Sequence, residues 1–129
     1  MKSNMVNFEV YQDDKCIFKS NSHWLHPIFE FEEHLKKKDV IRHLLYVRDK
    51  IIGRAAALLL VRLDIKRVHA HLLSHSGRDV LEYYKIDYSR DMLVDNIGCQ
   101  TEDLLADEYD PEIAYTKIKE RIKNKESKK

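Results

Sequence analysis

Cys99 and Glu102 are the residues of this 129-residue chain whose types and spacing best suit nucleophilic chemistry. Cys99 follows Gly98, and Glu102 comes three residues after the cysteine. A thiolate attacks electrophilic carbon when a helix start or a cation stabilises it, and a carboxylate can carry the proton. The pair predicts a catalytic nucleophile with its proton carrier, for which His75 is an alternative. The competing interpretation is a thiol without a chemical role.

Two strand-to-helix junctions suit phosphate binding. Gly53 and Arg54 open an apolar helix, and a second helix begins near Ser74, Ser76 and Arg78. The first amides of a helix attract anions, and arginine pairs with phosphate oxygens. We therefore predict that these five residues bind a ligand. The competing interpretation makes the serines helix caps and the arginines solvated surface residues.

Three histidines near one strand end offer an alternative metal site. Strand alternation places His69 and His71 on the same face, and His75 follows shortly after them. Strand histidines are more often half-buried side chains with a hydrogen-bond partner. We therefore predict no metal and no cofactor, and keep this histidine group as the alternative.

The elements that must position these residues alternate between strands and helices. Such alternation predicts right-handed crossovers and a mixed sheet of about five strands with helices on both faces, an α/β fold of the three-layer α/β/α sandwich type. We predict one domain over 1–129, with 1–6 and 124–129 frayed, and an irregular segment over 92–108. The predicted elements are a hairpin of Phe8–Val10 and Ile17–Phe18, a helix over 24–35, a strand over 41–47, a helix over 54–62, a strand over 66–73, a helix from Ser74 to Tyr84, a strand-like piece over 86–88, and a last helix from Asp110.

The composition argues against several classes of partner. The formal net charge is +1, so no excess of charge favours a nucleic acid or an anionic membrane. Only Cys16 and Cys99 are present, far apart, which predicts reduced thiols and a cytoplasmic location. No apolar run approaches the ~20 residues of a membrane span. We expect no nucleic-acid partner and no membrane association.

Several stretches resemble a small bacterial family of unknown function with the cytidine deaminase-like fold. The resemblance extends from about Phe8 to Ile122 and is most specific in the block DKIIGRAAALLLV. The stretches that carry it are 14–20, 27–30, 49–61, 68–74 and Cys99-Gln100-Thr101-Glu102. It implies a deaminase-like domain, and by the same analogy Asn96 would reach a base or ribose edge.

The same resemblance implies that the zinc chemistry of the fold is missing. Zinc deaminases use a His-x-Glu motif and a Pro-Cys-x-x-Cys motif to hold the metal and shuttle the proton. Gly53-Arg54-Ala55 stands at the first motif, and Ser76 and Asp79 stand where the two thiolates are expected. We therefore expect no zinc and no zinc-dependent deamination.

Three functional hypotheses remain. The preferred one is a catalytically silent domain that binds a nucleotide-like or other phosphate-bearing small molecule in a crevice between Gly53 and Ser74, with Cys99 at its rim. The second is a metal-independent enzyme with Cys99 as nucleophile. The third is a homo-oligomeric interaction scaffold whose contacts are Trp24 and Phe31, or Tyr83 and Tyr84.

Overall fold

The computed structural model describes residues 6–95, 97 and 104–127, with side chains described as far as Asn124. In these ranges five strands and four α-helices alternate, and a single 3-10 turn precedes the third strand. The elements are β1 Phe8–Gln12, β2 Lys15–Ser20, α1 His26–Leu35, the 3-10 turn Arg42–Leu44, β3 Leu45–Ile52, α2 Arg54–Arg62, β4 Arg67–Ser74, α3 His75–Tyr83, β5 Asp87–Val94 and α4 Pro111–Ser127.

The strands form one mixed sheet in the order β2-β1-β3-β4-β5. β1 runs antiparallel to both β2 and β3, and β3, β4 and β5 run parallel to one another. The parallel strands alternate with α2 and α3, as crossover connections require. The mixed five-stranded α/β sheet predicted from the sequence is confirmed.

Local sequence explains where several elements begin. Asp13 and Asp14 both adopt left-handed backbone conformations, with φ of 51° and 67°, and close the β1–β2 hairpin. Ser74 Oγ accepts a hydrogen bond of 2.9 Å from the Gly77 amide and caps α3. Asp110 Oδ1 accepts bonds from the amides of Glu112 and Ile113 at 2.8 and 3.2 Å, directly around Pro111.

Two strands differ from their predicted boundaries. The strand predicted over 41–47 begins at Leu45, because Arg42–Leu44 forms the 3-10 turn, and it continues to Ile52. The piece predicted over 86–88 is the eight-residue strand β5, which includes part of the segment predicted to be irregular. Both strands carry charged residues that interrupt the apolar pattern. Such residues are tolerated because one face of this sheet is open.

The described helices share one face of the sheet. Arg62 of α2 bonds to Glu32 of α1 at 2.8 Å and lies 3.3 Å from Glu112 of α4, and the rings of Phe29 and Tyr115 join α1 to α4. On the other face, Arg48 and Ser89 are exposed. In the part of the chain that the structure describes, the prediction of helices on both faces is therefore wrong. The polar alternation of β3 and β4 already marks an open face.

The core lies between this helical layer and the sheet. α2 is its centre, since every residue from Arg54 to Leu60 is buried. α1 adds Phe31, which is fully buried and packs against Phe8 and Phe18. None of the helices described here is long and apolar enough to cross a membrane.

Candidate functional site

A cavity of about 280 Å³ opens where β3 ends and α2 begins. One wall is the loop before α1, residues 22–25, together with Pro27. The opposite wall is the β3–α2 junction, and Asn7 and Ile97 complete the lining. The junction contributes Asp49, Lys50, Ile51, Gly53, Ala55 and Ala56. We call this space the Asp49 cavity. It lies at the carboxyl end of a parallel strand, where open α/β sheets commonly bind ligands.

Asp49 is the acidic group of the cavity. It follows Tyr46, Val47 and Arg48 in β3 and pairs with Phe8 of β1, a fully buried residue. Burial raises the pKa of the Asp49 carboxyl to about 8, although hydrogen bonds from the backbone amides of Ile51 and Lys50 act in the opposite direction. Near neutral pH the carboxyl is therefore largely protonated. A protonated carboxyl offers one O–H donor and one acceptor side by side.

The burial pattern of β3 shifts by one residue beside Asp49. Leu45 and Val47 are buried at alternating positions, but the next fully buried side chain is Ile52, while Ile51 is 42% exposed. β4 shows the same change, since Val68 and Ala70 are followed by buried Leu73. The shift leaves Ile51 available to line the cavity.

The start of α2 supplies polar backbone to the cavity. Gly53 is the N-cap in an extended conformation, and no side chain caps this helix. Its carbonyl accepts the amide of Ala57 at 3.0 Å, whereas Ala55 and Ala56 line the cavity. The first amides of a helix have no partner within the helix and favour an anion or another acceptor.

Trp24 forms the aromatic wall. Its backbone is left-handed, with φ of 60°, and its side chain is 38% exposed. The indole meets the His26 ring edge-to-face at 5.7 Å between centroids. A positive φ is uncommon for a bulky residue and persists only where neighbouring contacts enforce it.

Hydrogen bonds on both sides hold the loop that carries Trp24. Glu30 of α1 accepts the hydroxyls of Ser20 and Ser22, each at 2.6 Å. Asn7 donates its amide group to the carbonyls of Asn21 and Ser22 at 3.0 and 3.1 Å. The hydrogen bonds from the two serine hydroxyls lower the pKa of Glu30, and the bond from Ser20 has the larger effect. The wall of the cavity is thus fixed to α1 and to the residue before β1.

The helix starts at Gly53 and Ser74, between which the ligand crevice was predicted, are in close contact. A Cβ on Gly77 would lie 2.9 Å from both the carbonyl carbon and the oxygen of Gly53. The two helix starts therefore pack directly against each other at this point. Ser74 is fully buried with its hydroxyl bonded to the Gly77 amide. The cavity lies on the other side of Gly53, towards α1.

Arg54 lies inside the helical layer. Its side chain is buried, and Nε donates to the Glu108 carbonyl at 2.9 Å. One terminal nitrogen donates to the carbonyl and hydroxyl of Ser76, both at 3.1 Å, and the guanidinium lies 4.4 Å from the Tyr109 ring centroid. Arg54 and Ser76 thus join α2, α3 and the segment before α4. Neither residue lines the Asp49 cavity, and their predicted contact with a ligand stays a prediction.

The other predicted ligand-binding residues are Gly53, Arg78 and Asn96, and only Gly53 is seen to line the cavity. Gly53 lines the cavity, whereas Arg78 does not and instead contacts Asp79 at 3.3 Å. Asn96, Cys99 and Glu102 lie outside the described residues, so their predicted roles stay predictions.

The histidines do not assemble as a metal site. His69 and His71 both face Asp91 on the open side of the sheet, as strand alternation predicts, but His75 faces Asp95 instead, at 3.5 Å. Over residues 6–95, 97 and 104–127, no group of three or more histidine, cysteine or acidic side chains has the arrangement to hold a metal ion. The alternative built on these three histidines is therefore not supported.

The residues predicted for an oligomeric contact differ in their exposure to solvent. Phe31 is buried in the core and cannot meet a second copy, so its predicted interface role is wrong. Tyr83 is 63% exposed, and its ring lies against Tyr84 and Tyr109.

Comparison with known proteins gives the chain a family. The model of the family described as a domain of unknown function (DUF1893, TM1506) matches residues 3–122, which is most of the sequence. The chain belongs to the DUF1893 family. This confirms the resemblance to a family of unknown function.

A solved structure shows the same fold. The crystal structure of a DUF1893 family protein (TM1506) from Thermotoga maritima superimposes with a TM-score of 0.78 over 90% of this chain and 80% of that chain, at 24% sequence identity. Identity at this level shows a shared fold. No curated protein matches the sequence. The family description assigns no activity, so the residues of the site must carry any functional argument.

Sequence reasoning missed Asp49, Trp24 and Asn7 as site residues. The sequence did contain one sign of Asp49, which is a carboxylate at the end of an apolar strand and immediately before a strand-to-helix junction. The other two residues come from distant parts of the chain and reach the cavity only through the fold.

Proposed function

We propose that this domain binds a nucleotide-like small molecule, a planar heterocycle bearing an anionic or acceptor group, in the Asp49 cavity. The observation that carries the proposal is the meeting of three features there: the Asp49 carboxyl, the Trp24 ring and the uncapped start of α2. Each feature suits a different part of such a ligand.

Asp49 suits the hydrogen-bonding edge of a heterocycle. Its protonated carboxyl donates through one oxygen and accepts through the other, which matches an edge with an acceptor beside an N–H group. Nucleobases present such edges. Because the carboxyl is protonated near neutral pH, it also tolerates an anionic group bound nearby.

Trp24 suits the flat face of the ring. Stacking on an aromatic side chain contributes about 1–3 kcal/mol per base and tolerates different bases. Leu25, Pro27 and Ile51 add apolar surface to the same cavity.

The start of α2 suits the anionic or acceptor group. Ala55 and Ala56, from the first turn of α2, line the cavity together with His23 and Lys50, and the first turn of a helix favours an anion. The cavity volume of about 280 Å³ is near the lower end of the roughly 300–1,000 Å³ typical of ligand sites. We therefore favour a nucleoside or mononucleotide over a dinucleotide.

The proposal includes the cytidine deaminase-like fold that the sequence resemblance implies, without its chemistry. In this proposal Asp49 donates a hydrogen bond to the ligand and takes no part in a reaction. A bound nucleobase remains unchanged.

The test is calorimetric titration of the full chain with a panel of nucleosides and mononucleotides, supported by ligand-dependent thermal shifts. At least one member should bind and raise Tm. Trp24→Ala should weaken its binding by about 5- to 150-fold, the loss of one stacked base. Asp49→Asn should weaken it less than Asp49→Ala, because the amide retains a donor beside an acceptor.

Matched controls lie elsewhere on the surface. Tyr83→Ala removes an exposed aromatic ring far from the cavity lining, and Asp87→Asn removes an exposed strand carboxylate. Both should bind like the wild type. The proposal fails if no member of the panel binds, or if Trp24→Ala and Asp49→Ala bind as tightly as these controls.

A further inference from the structure

A second group of polar residues lies on the open face of the sheet, remote from the helices. Arg48, His69 and Ser89 are register partners on the three parallel strands. Ser89 Oγ lies 2.7 Å from Nδ1 of His69. On the far side of the ring, Nε2 lies 3.3 Å from Oδ1 of Asp91.

Asp91 determines where the protons of this group lie. Its second oxygen, Oδ2, is 2.9 Å from Nδ1 of His71, so one carboxyl faces two imidazoles. Hydrogen bonds from His71, and next from His69, lower the pKa of Asp91 and keep it ionised. Nε2 of His69 approaches Oδ1 of Asp91 to 3.3 Å without hydrogen-bond geometry. We assign the proton of the neutral ring to Nε2, because an ionised carboxylate beside it only accepts hydrogen bonds. Nδ1 is then the acceptor for the Ser89 hydroxyl.

Ser89 is more exposed to solvent than His69, which suits a nucleophile and its base. The His69 side chain is 14% exposed, whereas Ser89 is an exposed residue. The base is thus shielded and oriented while the hydroxyl is open to a substrate. A nucleophile bonded to a base that a third group orients is the arrangement used in nucleophilic catalysis.

A cavity of about 140 Å³ adjoins this group. His69, His71 and Asp91 line it, and Ser89, on the other side of the His69 ring, does not. The remaining lining residues are Val6, Glu9, Arg48, Asp49 and Lys50. The volume accommodates an acyl group of a few heavy atoms. Arg48 and Lys50 are the donors available to stabilise negative charge on an acyl oxygen.

We propose that Ser89, His69 and Asp91 form a hydrolytic site for small carboxylic esters on the open sheet face. Ser89 is the nucleophile, His69 the general base and acid, and Asp91 the positioning residue. Asp49 and Lys50 line both cavities. The proposal does not depend on nucleotide binding, because none of Ser89, His69 and Asp91 lines the Asp49 cavity.

The reaction needs only the ester and water. Ser89 Oγ bonds to the acyl carbon, and its proton moves to Nδ1 of His69. The bond from the acyl carbon to the alcohol oxygen then breaks, and the leaving oxygen takes the proton from Nδ1. Water repeats the sequence on the acyl-serine, which releases the carboxylic acid and restores Ser89. No electrons are transferred and no co-reactant is required.

The test uses p-nitrophenyl acetate with the full chain. We expect a burst of nitrophenolate and one acetyl group on Ser89, located by peptide mass after acid quenching. Ser89→Ala should abolish the adduct and the burst, and Ser89→Cys should carry the acetyl group as a thioester. His69→Gln should lower kcat by about 100-fold or more, the usual contribution of a general base.

Asp91 needs a readout that separates positioning from binding. Asp91→Asn should lower kcat by a larger factor than it changes KM, because the carboxylate orients the His69 ring, although Asp91 also lines the cavity. His75→Gln is the matched control, since His75 faces Asp95 and not Ser89, and it should keep the wild-type rate. An acetyl group on lysine only, an absent adduct, or a rate retained in Ser89→Ala would overturn the proposal. In that case the group is a polar network across the sheet.

Discussion

Gly77 of α3 packs directly on the Gly53 carbonyl at the start of α2, so closely that a Cβ added to Gly77 would lie 2.9 Å from both carbonyl atoms. This contact sets the distance between the two helix starts that follow β3 and β4. It narrows the space that the sequence predicted as a ligand crevice. It also leaves the other side of Gly53 free to line the Asp49 cavity.

Gly77→Ala should destabilise the fold. The new Cβ meets backbone atoms, which cannot rotate away as a side chain can, so α3 must move relative to α2. We expect a loss of about 1–3 kcal/mol in the free energy of unfolding, the usual cost of overpacking. Urea denaturation measures it. Asp79→Ala, at an exposed position of the same helix, should change stability by no more than about 0.5 kcal/mol.

Arg54→Met should also destabilise the fold. Methionine keeps much of the buried volume but removes the donors to the carbonyls of Glu108 and Ser76. Leaving an acceptor without its donor costs about 1–3 kcal/mol when it is buried, and these two acceptors are part-buried, so we expect a total in the lower part of the range of roughly 2–6 kcal/mol. Chemical denaturation of Arg90→Met, at an exposed strand position, provides the comparison. Equal stability of the two variants would contradict the structural role of Arg54.

Asp49 should make the fold less stable as pH rises. Its pKa is about 8 in the folded protein and about 3.9 in the unfolded chain, so the folded state holds the extra proton between these values. The stabilisation is complete below about pH 4 and is lost as pH rises through about 8. Asp49→Asn should remove this decline. Chemical denaturation between about pH 4 and 8 measures the decline, and NMR titration of the Asp49 carboxyl measures its pKa. A carboxyl that titrates near the unfolded value of about 3.9 would contradict the prediction.

Glu30 should act in the opposite direction. Bonds from the Ser20 and Ser22 hydroxyls lower its pKa in the folded state, so its stabilisation is present above the unfolded value of about 4.3 and is lost as pH falls through the folded value. Glu30→Gln should therefore be less stable than the wild type at neutral pH, and the difference should shrink in acid. Thermal denaturation against pH measures it. Glu33→Gln, on the exposed side of α1, should show no such trend.

The sequence predicted the elements well where the signal was local. The Asp13-Asp14 hairpin, the Ser74 cap and the Asp110-Pro111 helix start all depend on residues within a few positions of one another. Where it failed, the missing information was non-local. The strand predicted over 41–47 stopped short of Ile52, and residues from Met92 were predicted to be irregular, because the sequence does not state that one face of the sheet is open.

The candidate site was predicted less well than the fold. The junction at Gly53 was correctly placed beside a cavity, but the second wall was assigned to Ser74 and Ser76 instead of Trp24 and its loop. Arg54 was read as a phosphate ligand, and its burial against Ser76 and Glu108 shows a structural role.

The sequence by itself determined the order of strands and helices and their caps and turns, because these follow from short-range hydrogen bonding, backbone preference and apolar periodicity. Only the tertiary structure decided which side of Gly53 is open, that Asp49 is buried enough to hold a proton near neutral pH, and that Ser89, His69 and Asp91 meet. Those properties depend on packing between segments far apart in the chain. Burial and distance set the chemistry of a polar group, and neither is a property of its immediate neighbours in sequence.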